Sequence, residues 1–274
     1  MGATMHSLPI FILLCHNEKV NFIVLCCFSF FLFNPLLSLE RTFAGPIYQV
    51  KKILNAQLVP PKSTYTIVLV GDSMTDYLGS GVELKKYLKN YYPNKQINIL
   101  NFSVGSTNIL TLPDRLQNLT NYNARISEPI LNTDFDLILI ESFGHNPLSE
   151  YSLEKGLKKH NEVMDQARQM IKQRQPWARV VLLATIEPHA ERYAEGVANL
   201  TTEERKKWAQ ERITYIKNHI DYAKLHKLPV IDARGGGNID YINTNDFIHP
   251  SVTGIDFISR EIADFIFKNR ILPL

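Results

Sequence analysis

The chain has 274 residues and only three cysteines, Cys15, Cys26 and Cys27, all within the first 39 residues. A body without cysteine excludes a disulfide scaffold. It also excludes Cys-ligated zinc and iron–sulfur centres there. Charge of one sign is scarce as well: the net charge is +3, too weak to argue for nucleic acid or an anionic membrane surface. No Gly-x-Ser-x-Gly elbow occurs, which disfavours the α/β-hydrolase fold. No Gly-x-Gly-x-x-Gly and no P-loop occur, so dinucleotide and NTP binding lack their usual cradle. Internal repeats and low-complexity stretches are missing too. What is present is 45% hydrophobic residues among interspersed charge, enough for a sizeable core.

The chain divides into three parts. Residues 1–44 are an apolar leader whose only charges before residue 40 are Glu18 and Lys19. Val20 to Phe33 is a 14-residue apolar run, and Asn34-Pro35 breaks any helix after it. That length suits a signal peptide, with cleavage after Ala44. An uncleaved anchor reaching Leu39 is the equal alternative. No small residue precedes Cys26 as a lipoprotein signal requires, and His6 stands where N-myristoylation requires Ser or Thr. Either reading places the body outside the cytosol, secreted or tethered, with membrane contact only through this segment. Residues 45–63 read as a linker, and 64–274 as the folded domain.

In that domain five short apolar runs, Thr66–Val70, Ile97–Val104, Asp136–Ser142, Arg179–Ile186 and Leu228–Asp232, read as strands buried on both faces. Helical stripes lie between and after them. One runs Leu153, Leu157, His160, Met164, Ala167, Ile171. A second runs Ala209, Ile213, Ile216, Ile220, Ala223, with Thr201 and Glu204 as a capping box at its start. The last carries Ile255, Ile258, Ile262 and Phe265. The pattern is α/β, a three-layer α/β/α sandwich around a five-stranded parallel sheet. Ligands then bind beyond the carboxyl ends of the strands.

Chemistry-bearing residues follow those ends. Gly71-Asp72-Ser73-Met74 follows the first strand, Gly105 the second, Gly144-His145-Asn146-Pro147 the third, and Asp246-Phe247-Ile248-His249-Pro250 lies in a loop after the fifth. Acyl transfer needs a nucleophile, a base, a group that orients the base, and donors for the oxyanion. Ser73, His249 and Asp246 supply the first three. The N–H groups of Ser73 and Gly105 and the Asn146 amide supply the donors. Asp72 and His189 are candidate substrate contacts, His189 because Glu187-Pro188-His189 follows the fourth strand. Each block alone is a common turn or helix-start feature; the four in order are far less common. A metal cluster of Glu141, His145, Glu187, His189 and His249 matches no known ligand spacing. Gly235-Gly236-Gly237 reads as a flexible loop. Asn101, Asn118 and Asn199 each stand in Asn-x-Ser/Thr, which matters only if the source glycosylates.

Gly-Asp-Ser, then Gly, then Gly-x-Asn, then Asp-x-x-His resembles the SGNH (GDSL-like) hydrolase superfamily, over roughly residues 64–269. The resemblance implies a flavodoxin-like sheet and ester hydrolysis without metal or organic cofactor. It implies Ser73 as nucleophile, Gly105 and Asn146 as oxyanion donors, and Asp246 and His249 as the other triad members. Small-molecule or glycan esters are then the substrates. Two departures stand out: Met74 replaces the usual Leu, and Pro147 replaces the Asp that normally follows the Asn. A cell-surface acyltransferase using the same residues, or an inactive glycan-binding module, are the alternatives. Oligomeric state is not legible in the sequence.

Overall fold

The structure is a computed structural model that describes residues 59–274. The leader and most of the expected linker lie outside the described residues. Of the expected linker, Val59 is buried in the core and residues 60–63 are exposed on the way into β1 (Thr64–Val70).

Seven strands and six α-helices follow in chain order. After β1 come α1 (Ser73–Asp76), α2 (Val82–Tyr91), β2 (Gln96–Asn101) and α3 (Leu112–Gln117). A small hairpin, β3 (Thr120–Tyr122) and β4 (Arg125–Ser127), precedes β5 (Leu137–Glu141) and α4 (Leu153–Arg174). The chain finishes with β6 (Arg179–Ala184), α5 (Thr202–Leu225), β7 (Val230–Asp232) and α6 (Val252–Lys268). Among the described residues no helix is long and apolar enough to cross a membrane.

The main sheet has strand order β2-β1-β5-β6-β7, and all its pairings are parallel. Alternation along each strand splits the core in two. Tyr65, Ile67, Leu69, Leu137, Leu139, Val181 and Leu183 face α2 and α6. Val68, Val70, Ile138, Ile140 and Leu182 face α3, α4 and α5. Burial on both sides is why these strands read as continuous apolar runs. The expected second strand stops at Asn101 rather than Val104, since the chain there turns away to form the loop that carries Gly105. The Thr201–Glu204 capping box is present at the start of α5. Leu153 is 46% exposed despite its place in the helical stripe, because the first turn of α4 extends past the core.

The β3–β4 hairpin is not foreshadowed by the apolar pattern. Its turn residues Asn123 and Ala124 both have positive φ, 52° and 60°, as a tight hairpin turn requires. It folds back over the end of β2 and braces the Gly105 loop.

Candidate active site

The turn that carries Ser73, the expected nucleophile, is built from Gly71. A Cβ there would lie 2.6 Å from Glu141 Cβ, so only glycine lets β1 and β5 approach this closely at their carboxyl ends. Asp72 then caps α1, its Oδ1 accepting the Met74 N–H at 2.9 Å. Its Oδ2 accepts the Asn146 side-chain amide at 2.9 Å. Its own N–H donates to Glu141 Oε2 at 3.3 Å. Asp72 is completely buried and both its oxygens are occupied. It therefore lies beneath the Ser73 turn, held between Met74 and Asn146.

Ser73 begins α1 half-buried. Gly105 approaches it closely, since a Cβ on Gly105 would lie 3.5 Å from Ser73 Cβ. The N–H groups of Ser73 and Gly105 have no acceptor among the described residues, so both remain available to an oxyanion. Asn146 has spent one amide hydrogen on Asp72 and keeps the other.

The Gly105 loop is held from two sides. Arg125 of β4 donates to the carbonyls of Asn101 at 2.7 Å and Ser103 at 2.8 Å, and pairs with Asp76 of α1 at 3.0 Å. Asn123 donates to the Gly105 carbonyl at 2.5 Å. From below, the guanidinium of Arg115, only 3% exposed, donates to the Gly71 carbonyl at 3.1 Å, to Thr107 Oγ1 at 3.3 Å, and to the Phe102 carbonyl. No carboxylate pairs with it among the described residues. Burial lowers its pKa to about 10, which leaves it a cation at neutral pH.

Asp246 and His249 form one tight turn. His249 Nδ1–H donates to Asp246 Oδ2 at 2.8 Å, while Asp246 Oδ1 accepts the N–H groups of Ile248 and His249 at 2.8 and 3.0 Å. Burial pushes the Asp246 carboxyl up, but these three hydrogen bonds outweigh it and hold the pKa below the usual carboxylate value. The Nδ1 bond leaves Nε2 as the free base. Tyr77, four residues after Ser73, stacks on the His249 ring with centroids 4.5 Å apart and planes 7° from parallel. The Tyr77 N–H donates to the Ser73 carbonyl at 3.0 Å, so the turn that begins at Ser73 carries the ring that covers His249. No hydrogen bond joins Ser73 Oγ to His249. Such contacts commonly tighten only when substrate binds.

Three non-glycine residues with positive φ lie in these loops: Ser106 at 58°, Phe143 at 52° and Phe247 at 52°. Such strain collects where surrounding structure fixes a functional loop. Phe247 is clamped by the 187–201 loop. The Arg192 guanidinium lies 3.9 Å from its ring centroid, and the Ala194 N–H donates to its carbonyl at 3.3 Å.

The remaining candidates lie further back. Glu141 is fully buried, with Oε1 accepting from Ser142 at 2.6 Å and Thr185 at 3.1 Å; burial and the nearby Asp72 push its pKa well up. His145 is buried and bonds the Ile186 carbonyl at 2.9 Å through Nε2. Glu187 pairs with Arg234 at 2.8 Å. His189 is half-buried, its Nδ1 inside the protein with no partner among the described residues, and no contact ties it to Ser73 or His249.

Sequence reasoning missed Tyr77, Arg115, Asn123 and Arg125. Only Tyr77 carried a signal, its four-residue spacing from Ser73.

Comparison with known proteins places the fold and the family. No curated protein sequence matches the chain. Solved structures do. An acetylxylan esterase from Geobacillus stearothermophilus is similar at 16% identity with a TM-score of 0.51, over 74% of this chain and 94% of that one. A GDSL-like lipase from Parabacteroides merdae is similar at 16% identity with a TM-score of 0.55, over 78% of this chain and all of that one. At such identities the likeness is one of fold. A sequence profile matches residues 67–262, from β1 into the last helix. The chain therefore belongs to the GDSL-like lipase/acylhydrolase family and is an ester-hydrolysing enzyme.

Proposed function

We propose that the chain is a serine esterase that removes a short acyl group from a hydroxyl-rich alcohol through a Ser73–His249–Asp246 triad. Ser73 Oγ attacks the ester carbonyl carbon while His249 Nε2 takes its proton. The developing oxyanion is met by the N–H groups of Ser73 and Gly105 and the remaining hydrogen of the Asn146 amide. The intermediate collapses, and His249 returns the proton to the leaving alkoxide. Water, deprotonated by His249, then attacks the acyl-Ser73 carbonyl, and the proton returns to Ser73 as the free acid departs. Asp246 fixes the His249 tautomer and stabilises the imidazolium throughout.

The observation that carries this reading is the stacking of Tyr77, from the Ser73 turn, on an imidazole already bound to Asp246 at 2.8 Å. The alcohol class is argued from a groove of about 820 Å³ that Tyr77 borders, where Asn243, Thr244, Asn245 and Ser251 stand among Asp240 and apolar residues such as Ile239 and Ile255. No lysine or arginine lines it, which suits a neutral, hydroxyl-rich alcohol better than a phosphorylated one. The acetylxylan esterase named above supports this choice by analogy. The apolar leader and the cysteine-free body support a position outside the cytosol, tethered or secreted.

A fluorophosphonate probe tests the reading. Labelling that maps to Ser73 is expected, and an inert folded protein would overturn it.

A further inference from the structure

The net charge of +3 is not spread evenly. In a parallel sheet, the segments that lead into strands lie at the amino edge, opposite the catalytic loops. The α4–β6 connection, the α5–β7 connection and the chain entering β1 from residue 59 all lie there. At this edge a cavity of about 450 Å³ is lined by Arg168, Lys172, Arg179 and Lys227 with a single carboxylate, Asp165. Asp165 is already shared, pairing with Arg168 at 3.4 Å and accepting from the Tyr222 hydroxyl at 2.6 Å. Lys172, Arg179 and Lys227 have no acidic partner among the described residues. The Arg179 Nε–H is buried with no acceptor, and burial lowers the pKa of that guanidinium. A buried donor without a partner is costly, and an oxyanion with several acceptor oxygens would satisfy it.

Two exposed apolar side chains flank the cavity in sequence. Trp177 is 44% exposed two residues before Arg179, and Leu225 is 77% exposed two residues before Lys227. Exposed Trp and Leu beside snorkelling cations are the side-chain set of a membrane interface. We propose that the amino edge of the sheet faces an anionic bilayer, with the cavity taking the phosphate of a lipid head group and Trp177 and Leu225 entering the interface. Ser73 and His249, at the opposite edge, then face away from the lipid.

The protein has only two tryptophans, and Trp208 lies near the start of α5, towards the catalytic edge. Full-length protein carrying Trp208→Phe therefore reports Trp177 alone. Blue-shifted Trp177 emission is expected with vesicles containing phosphatidylglycerol, but not with phosphatidylcholine alone. Quenching by brominated phosphatidylglycerol is expected too. Lys172→Gln with Lys227→Asn removes two charges at exposed positions, and Asn tolerates the left-handed backbone of Lys227 (φ 54°). At about five-fold per charge, this pair is expected to weaken the response roughly 25-fold. Hydrolysis of a soluble ester should not change. Equal emission with both lipids, or a response that survives the double substitution, would overturn the proposal. So would thermal stabilisation by inorganic phosphate with no response to vesicles, which would make the ligand a soluble phosphate.

Discussion

The Asp72 carboxylate holds the Asn146 side-chain amide at 2.9 Å while capping the helix that begins with Ser73. One buried group thus ties the Ser73 turn to Asn146, the proposed third oxyanion donor.

Asp72→Ala should release Asn146 and uncap α1. Loss of the cap costs about 1 kcal/mol of stability. Loss of one oriented donor costs about 10²–10³ in kcat. Steady-state kinetics normalised by titration of reactive serine separates the two effects. An unchanged kcat per titrated site would show that Asp72 only caps.

Arg115 joins the nucleophile turn to the Gly105 loop through the carbonyls of Gly71 and Phe102. Arg115→Met keeps the bulk and removes every donor. The N–H groups of Ser73 and Gly105 should then lose their fixed spacing. The expected result is a fall in kcat of about 10-fold or more with little change in KM, since the oxyanion donors act chiefly in the transition state. Arg115→Lys should recover part of the loss. A rise in KM with kcat intact would contradict this.

Tyr77→Phe keeps the ring on His249, and Tyr77→Ala removes it. Stacking of this kind contributes about 0.5–1.5 kcal/mol beyond area burial. The Phe variant should hydrolyse ester at the wild-type rate, and the Ala variant several-fold more slowly. Equal rates in all three would mean the stack plays no part in holding the base.

His219 is buried in α5, donating Nε2–H to the Ile140 carbonyl at 3.1 Å, and burial lowers its pKa to about 3. His160, its neighbour at 5.7 Å between ring centroids, is lowered in the same direction by burial. In the unfolded chain a histidine titrates near 6.5. Their neutral forms therefore stabilise the fold fully above about pH 6.5. For His219 that contribution is lost as pH falls from there towards about 3, by up to about 1.4 kcal/mol per pH unit, and His160 adds a loss in the same direction. His219→Gln keeps a donor and should flatten this part of the profile. Melting curves from pH 7 to pH 4 give the slopes, and identical slopes in both proteins would contradict the account.

The five-stranded sheet was legible because parallel strands bury both faces and leave unbroken apolar runs such as Leu137–Glu141. Ser73, Gly105 and Asn146 stood out in the sequence because each comes after a strand, and Asp246 and His249 because they stand three residues apart in one loop. The β3–β4 hairpin was not. Its strands are short and polar, and Ile126 is 69% exposed, so no apolar alternation marks it. Arg115 was hidden for a different reason. Its partners are backbone carbonyls, which no residue pattern announces. The burial of Asp72 was hidden as well, because sequence order cannot show that a residue beside Ser73 points inward.

The most direct measurement is hydrolysis of p-nitrophenyl acetate and butyrate by the full-length protein beside Ser73→Ala. Turnover in the wild type that falls by at least 10³-fold in the variant, with acetate preferred, is the predicted result. Equal rates in the two proteins would contradict Ser73 as the nucleophile.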